Sequence, residues 1–127
     1  MEYDIYSWPG HYKGPLSRFL EVAKEKEEVG GGGVSVVFPL RCFYADHEGE
    51  EFKGLVIQAE IDKDSPESTY VRVSFCRIAV FRMTLKQSEG CLEYLLLRAL
   101  DAAFRFADCL DTMETDYDEE RILVRAF

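Results

Sequence analysis

"SEGCLEYLLLRALDAAFRFADCL", Ser88 to Leu110, is the stretch whose reading decides the fold. Its charged positions Asp101, Arg105 and Asp108 form a narrow polar stripe, and most of the remaining circumference is Leu, Ala and Phe. Ser88 is a plausible N-terminal cap for a helix of about 20 residues. A helix apolar over most of its surface must be covered on more than one side. It is therefore expected to lie across a sheet as the main helix of a two-layer domain. Glu93, Arg98, Asp101, Arg105 and Asp108 also interrupt the run too often for it to face hydrocarbon, so no membrane span is expected.

Working back from the helix, "TYVRVSFCRIAVFRMTL", Thr69–Leu85, alternates with Val71, Val73 and Phe75 on one face and Ile78 and Val80 on the other. The phase change near Cys76 and Arg77 predicts a bulge, or a strand buried on both sides in its second half, and the central position in the sheet. Upstream, Leu55, Ile57, Ala59 and Ile61 share one face, as do Val34, Val36, Phe38, Leu40, Cys42 and Tyr44. The two runs read as a hairpin, with Pro39 marking the earlier strand as an edge or a bulge. Tyr3, Ile5 and Ser7 suggest a short first strand, and "RILVRAF" at 121–127 a closing one.

Pro15 fits the first turn of a helix in which Leu16, Phe19, Leu20 and Ala23 recur on one face and "KEKEE" faces solvent, ending near Gly30. "VGGGGV" follows this helix and precedes a strand, whereas a phosphate loop follows a strand, carries Gly-Lys-Ser/Thr and opens a helix. A helix cap and mobile turn are expected instead. The fold class is thus α+β: a single-layer, mostly antiparallel sheet of four or five strands packed against a long helix, with a shorter N-terminal amphipathic helix. Residues 1–127 are expected to form one compact domain, since the length suits a single core and no linker or repeat interrupts it.

Charge is the second informative feature. Fifteen Lys and Arg against 24 Asp and Glu give −9. "DCLDTMETDYDEE", Asp108–Glu120, holds seven of the acids and no Lys or Arg; without those seven, 17 carboxylates face 15 bases. Nearly all the net charge sits in one short segment. Such a field opposes nucleic acid and anionic membranes and favours a cationic partner. A calcium loop begun at Glu114 fails, because Glu119 stands where glycine is required and Arg125 where the last glutamate is required. An irregular, weak divalent-cation site and a merely solubilising loop are the competing readings of the segment.

Catalytic chemistry has little to build on. His11 and His47 are the only histidines, and there is no nucleophile elbow, zinc motif or dinucleotide fingerprint. No cofactor or metal is expected. Cys42, Cys76, Cys91 and Cys109 lack a C-x-x-C hook and sit among apolar residues, which predicts buried reduced thiols. "MEYDIYSWPG" has no basic-then-apolar leader, so a cytoplasmic location is expected. Arg72, Arg77 and Arg82 are expected to pair with acids of neighbouring strands.

Trp8 and Tyr12, in a cluster with Tyr3 and Tyr6, serve either to close the core or to anchor a protein interface. In size and charge alone the chain resembles bacterial toxin-immunity proteins and phage anti-defence inhibitors, with no diagnostic motif. That likeness implies an acidic, non-enzymatic inhibitor of a basic protein such as a nuclease, monomeric or dimeric. Its partner-binding residues are expected to be Asp111, Glu114, Asp116, Asp118, Glu119 and Glu120, with Trp8 and Tyr12 as anchors. The alternatives are an acidic secretion chaperone, which holds clients by apolar grooves and strand addition, and a small-ligand domain or enzyme with a pocket near Arg77, Tyr44 or His47.

Overall fold

The structure, a computed structural model, describes residue 8 and residues 10–39, 54–75, 77–109 and 122–127. The elements run α1 (Gly10–Glu28), β1 (Gly31–Pro39), β2 (Gly54–Asp62), β3 (Tyr70–Phe75), β4 (Ile78–Thr84), α2 (Leu92–Cys109) and β5 (Leu123–Ala126). The strands form one antiparallel sheet in the order β4-β3-β2-β1-β5. This is the expected α+β architecture. The expected first strand at Tyr3–Ser7, the continuation of β1 through Tyr44, and Cys42, His47 and Cys76 lie outside the described residues.

Alternation along the strands separates the two faces of the sheet. Val34, Val36 and Phe38 of β1, Leu55, Ile57, Ala59 and Ile61 of β2, and Val71 and Val73 of β3 are all buried. They meet Leu16, Phe19, Leu20 and Ala23 of α1 and Leu95, Leu96, Ala99, Leu100 and Ala103 of α2 in a single apolar cluster. α1 packs over β1, β2 and β5, and α2 over β2, β3 and β4. Each helix therefore covers about half of one sheet face. Burying a Leu, Val, Ile or Phe side chain stabilises by roughly 1.5–3 kcal/mol, so this face dominates the folding energy.

Several sequence expectations need correction. The Thr69–Leu85 run is not a central strand but a hairpin, β3–β4, in which Phe75 pairs with Ile78 across a two-residue connection. Arg77 adopts φ 68° there, a left-handed conformation that lets the chain reverse without glycine. Among the described strands β4 is consequently at the edge of the sheet, and β2 is the central one. A register shift does occur, but within β4: Val73 faces Phe81 while Ser74 faces Ala79, leaving Val80 as the extra residue.

β1 is flanked by β2 and β5, so it is not an edge, and Pro39 stands at its end. The glycine run is largely strand. Gly31, Gly32 and Gly33 pair with Asp62, Ile61 and Glu60, and the turn is confined to Val29–Gly30. Gly31 has φ 156°, and a Cβ there would lie 2.8 Å from the Ile61 carbonyl oxygen, which explains the absence of a side chain. A Cβ on Gly33 would meet the Phe127 ring.

Helix α1 starts five residues before Pro15, which lies inside it. At the start of α2 the cap is Cys91, whose Sγ accepts a hydrogen bond from the Tyr94 N–H at 3.4 Å. Ser88 is buried in the preceding turn instead, where its hydroxyl donates to the Leu85 carbonyl at 2.8 Å. Cys91 is a free, exposed thiol, contrary to the expected burial.

Candidate functional site

The acidic segment is joined at one end to α2, which ends at Cys109, and at the other to β5, which starts at Leu123. Asp111, Glu114, Asp116, Asp118, Glu119 and Glu120 lie outside the described residues, but the elements flanking them are well anchored. Ala103 and Ala107 near the end of α2 are buried, as is Ile122 just before β5. β5 is held antiparallel to β1 by the pairs Val37 with Leu123 through Val34 with Ala126, and Phe127 and Gly33 exchange backbone hydrogen bonds at 2.6 and 2.8 Å.

Trp8 and Tyr12 are placed in the core, 3% and 1% exposed. The Trp8 ring lies 5.5 Å from Phe38 and 5.4 Å edge-on from Phe104, and Tyr12 lies 5.2 Å edge-on from Phe38. Of the two roles open to them, this geometry is that of closing the core. Large aromatics gain more from such packing than from solvent exposure, and rings so covered offer no surface for a partner. Tyr44 and His47 lie outside the described residues, while Arg77 sits in the β3–β4 turn, exposed and away from any pocket wall described below.

The face of the sheet away from the helices carries a feature that sequence reading missed. The registers of four strand pairs align Arg125, Ser35, Gln58, Arg72 and Arg82 in one row across β5, β1, β2, β3 and β4. Arg72 and Arg82 are direct cross-strand partners, an arrangement in which like charges repel. Among the described residues neither forms an ion pair with a carboxylate, which corrects the expectation that they neutralise acids on adjacent strands. The Arg82 guanidinium lies over the Tyr70 ring, 4.5 Å from its centroid. The Nε of Arg72 is buried without a hydrogen-bond partner. Glu60, also on this face, accepts from the Gln58 amide at 3.3 Å.

Among the described residues, two shallow depressions flank these elements. One, of about 280 Å³, opens on the same face and is lined by Ser35, Val37, Val56, Gln58, Arg125 and Phe127. Gln58 is common to this hollow and to the arginine row. The other, of about 270 Å³, lies between the helices at Lys24, Glu27, Glu28, Leu92, Glu93 and Leu96. Among the described residues no three His, Cys, Asp or Glu side chains cluster as a metal cage requires, and no helix is long and apolar enough to cross a membrane. Compared with known protein families, curated proteins and solved structures, the chain matches none.

Proposed function

We propose that this chain acts by binding another protein: an acidic inhibitor whose carboxylates occupy the basic surface of a target such as a nucleic-acid-processing toxin or enzyme. The observation that carries this reading is the concentration of charge, seven carboxylates without a base between Asp108 and Glu120 in a chain that is otherwise almost balanced. Attachment of the segment at both ends, to α2 and to β5, supports the reading, because a closed connection loses less freedom on binding than a free tail. Each partner Arg or Lys would exchange a phosphate for a carboxylate, and the attraction would raise the association rate most strongly at low salt. Asp111, Glu114, Asp116, Asp118, Glu119 and Glu120 are the contact residues of this proposal. Trp8 and Tyr12, being buried, are not.

A second mode of protein binding is favoured by a different observation. Edge strand β4 exposes Ile78 (68%) and Val80 (37%), the apolar rim to which an extended client could add a strand, as in a chaperone. Affinity capture from native lysate separates the two. Wild type is compared with a variant carrying Glu114→Gln, Asp116→Asn, Asp118→Asn, Glu119→Gln and Glu120→Gln, at low and at physiological salt. A basic protein held by wild type and lost by the variant supports the inhibitor reading. Capture that ignores both salt and the amide substitutions contradicts it and moves attention to β4.

A further inference from the structure

Arginines on an open sheet face are ordinary when each is paired or spread apart. Here Arg72 and Arg82 are neither. Strands in a sheet lie about 4.8 Å apart, so two cross-strand partners hold their guanidinium groups within reach of one common ligand. Stacking on Tyr70 fixes one of them, and the other keeps a buried Nε donor with no acceptor. On the same face Glu60 accepts a hydrogen bond from the Gln58 amide, and among the described residues neither guanidinium forms an ion pair with a carboxylate.

Two adjacent positive charges match one dianion, and a tetrahedral phosphate can accept hydrogen bonds from two guanidinium groups at once, whereas a single carboxylate neutralises only one. Beside the pair, reached through Gln58, lies the hollow of about 280 Å³ with Val37 and Val56 as an apolar floor and the Phe127 ring at its rim. We infer that the open face of the sheet binds a small phosphate monoester, its phosphate on Arg72 and Arg82 and its organic group, a planar ring by preference, in the hollow beside Gln58. This site uses none of the acidic segment and is independent of the protein-binding proposal.

The test is a titration of the full chain, followed by amide and guanidinium NMR signals, with phenyl phosphate and adenosine 5′-monophosphate as probe esters and inorganic phosphate as reference. The esters should bind more tightly than inorganic phosphate and shift Tyr70, Arg72 and Arg82 together with Ser35, Val37 and Gln58. Arg72→Gln and Arg82→Gln should each weaken ester binding about tenfold or more, since each removes charge-assisted hydrogen bonds. Arg18→Gln on α1, which removes the same charge far from the sheet face, should leave it unchanged. Unfolding midpoints of all three variants distinguish loss of the site from loss of the fold. No response to either ester, a response that survives both sheet substitutions, or one no stronger than that to inorganic phosphate would overturn the inference.

Discussion

The two faces of the sheet are written by the same strands under different rules. On the covered face every position from Val34 to Phe38 and from Leu55 to Ile61 that points inward is a buried apolar side chain. Across the open face the alternate positions include Ser35, Gln58, Glu60, Tyr70, Arg72, Arg82 and Arg125, beside an apolar patch at Val37, Val56 and Leu123. Packing dictates the first set. Nothing in the packing of the described residues requires arginines aligned in register, so on the open face side chains can change without cost to the core.

The contrast is broken most severely from the covered side. Phe38→Ala removes a buried ring that contacts Trp8 and Tyr12 and should destabilise the fold by about 3–5 kcal/mol in urea unfolding. Ser35→Ala, three residues away on the open face, should shift the same transition by no more than about 0.5 kcal/mol. A comparable loss at both positions would mean that the open face is also structural.

An intermediate effect is expected where the strands are held by a side chain rather than by packing. The buried Thr69 hydroxyl accepts from the Asp62 N–H and donates to the Asp62 carbonyl, both at 2.8 Å, locking the exit of β2 to the entry of β3. Thr69→Val keeps the shape but leaves the Asp62 N–H without its side-chain acceptor, while the Asp62 carbonyl still accepts from the Ser65 N–H at 3.1 Å, so stability should fall by about 1–3 kcal/mol. Full retention of the unfolding midpoint would show that the turn is set by its backbone alone.

The smallest expected effect has the opposite sign. Arg72→Glu replaces a repulsive cross-strand pair by an attractive one while preserving the stacking of Arg82 on Tyr70. Stability should rise by about 0.2–1 kcal/mol, and the gain should shrink as salt is added. A loss of stability at every salt concentration would mean that Arg72 supports the sheet in its own right.

The elements legible in the sequence were those fixed by local periodicity. Leu55, Ile57, Ala59 and Ile61 of β2, the Leu16–Ala23 face of α1 and the apolar face of α2 all follow from burial at a spacing of two or about 3.6 residues, and the closing strand β5 from the alternation that sets half-buried Val124 against exposed Arg125. What was misread depends on partners distant in the chain. The β3–β4 reversal carries Arg77 at positive φ, with no glycine or asparagine to announce it, and so two strands looked like one. Gly31–Gly33 looked like a turn because their place in the sheet is set by Asp62, Ile61 and Glu60 of β2. Glycine composition says only that the backbone is permissive, not which partner it meets.

The same division governs the candidate sites. A run of acids is contiguous and shows itself in the sequence. The row of Arg125, Ser35, Gln58, Arg72 and Arg82 is assembled from five strands, and a one-residue slip in any register would scatter it. Trp8 and Tyr12 had the composition of interface anchors, but only the positions of Phe38 and Phe104 assign them to the core.

The claim that unites these observations is that the covered face holds the fold and the charged surfaces are free for recognition. Its most direct test is urea unfolding of the variant with Glu114→Gln, Asp116→Asn, Asp118→Asn, Glu119→Gln and Glu120→Gln beside wild type at low salt. The expected result is a stability unchanged within about 0.5 kcal/mol, or slightly raised by relief of mutual repulsion. A fall of more than about 2 kcal/mol would contradict the claim, because it would show that those carboxylates are part of what holds the protein together.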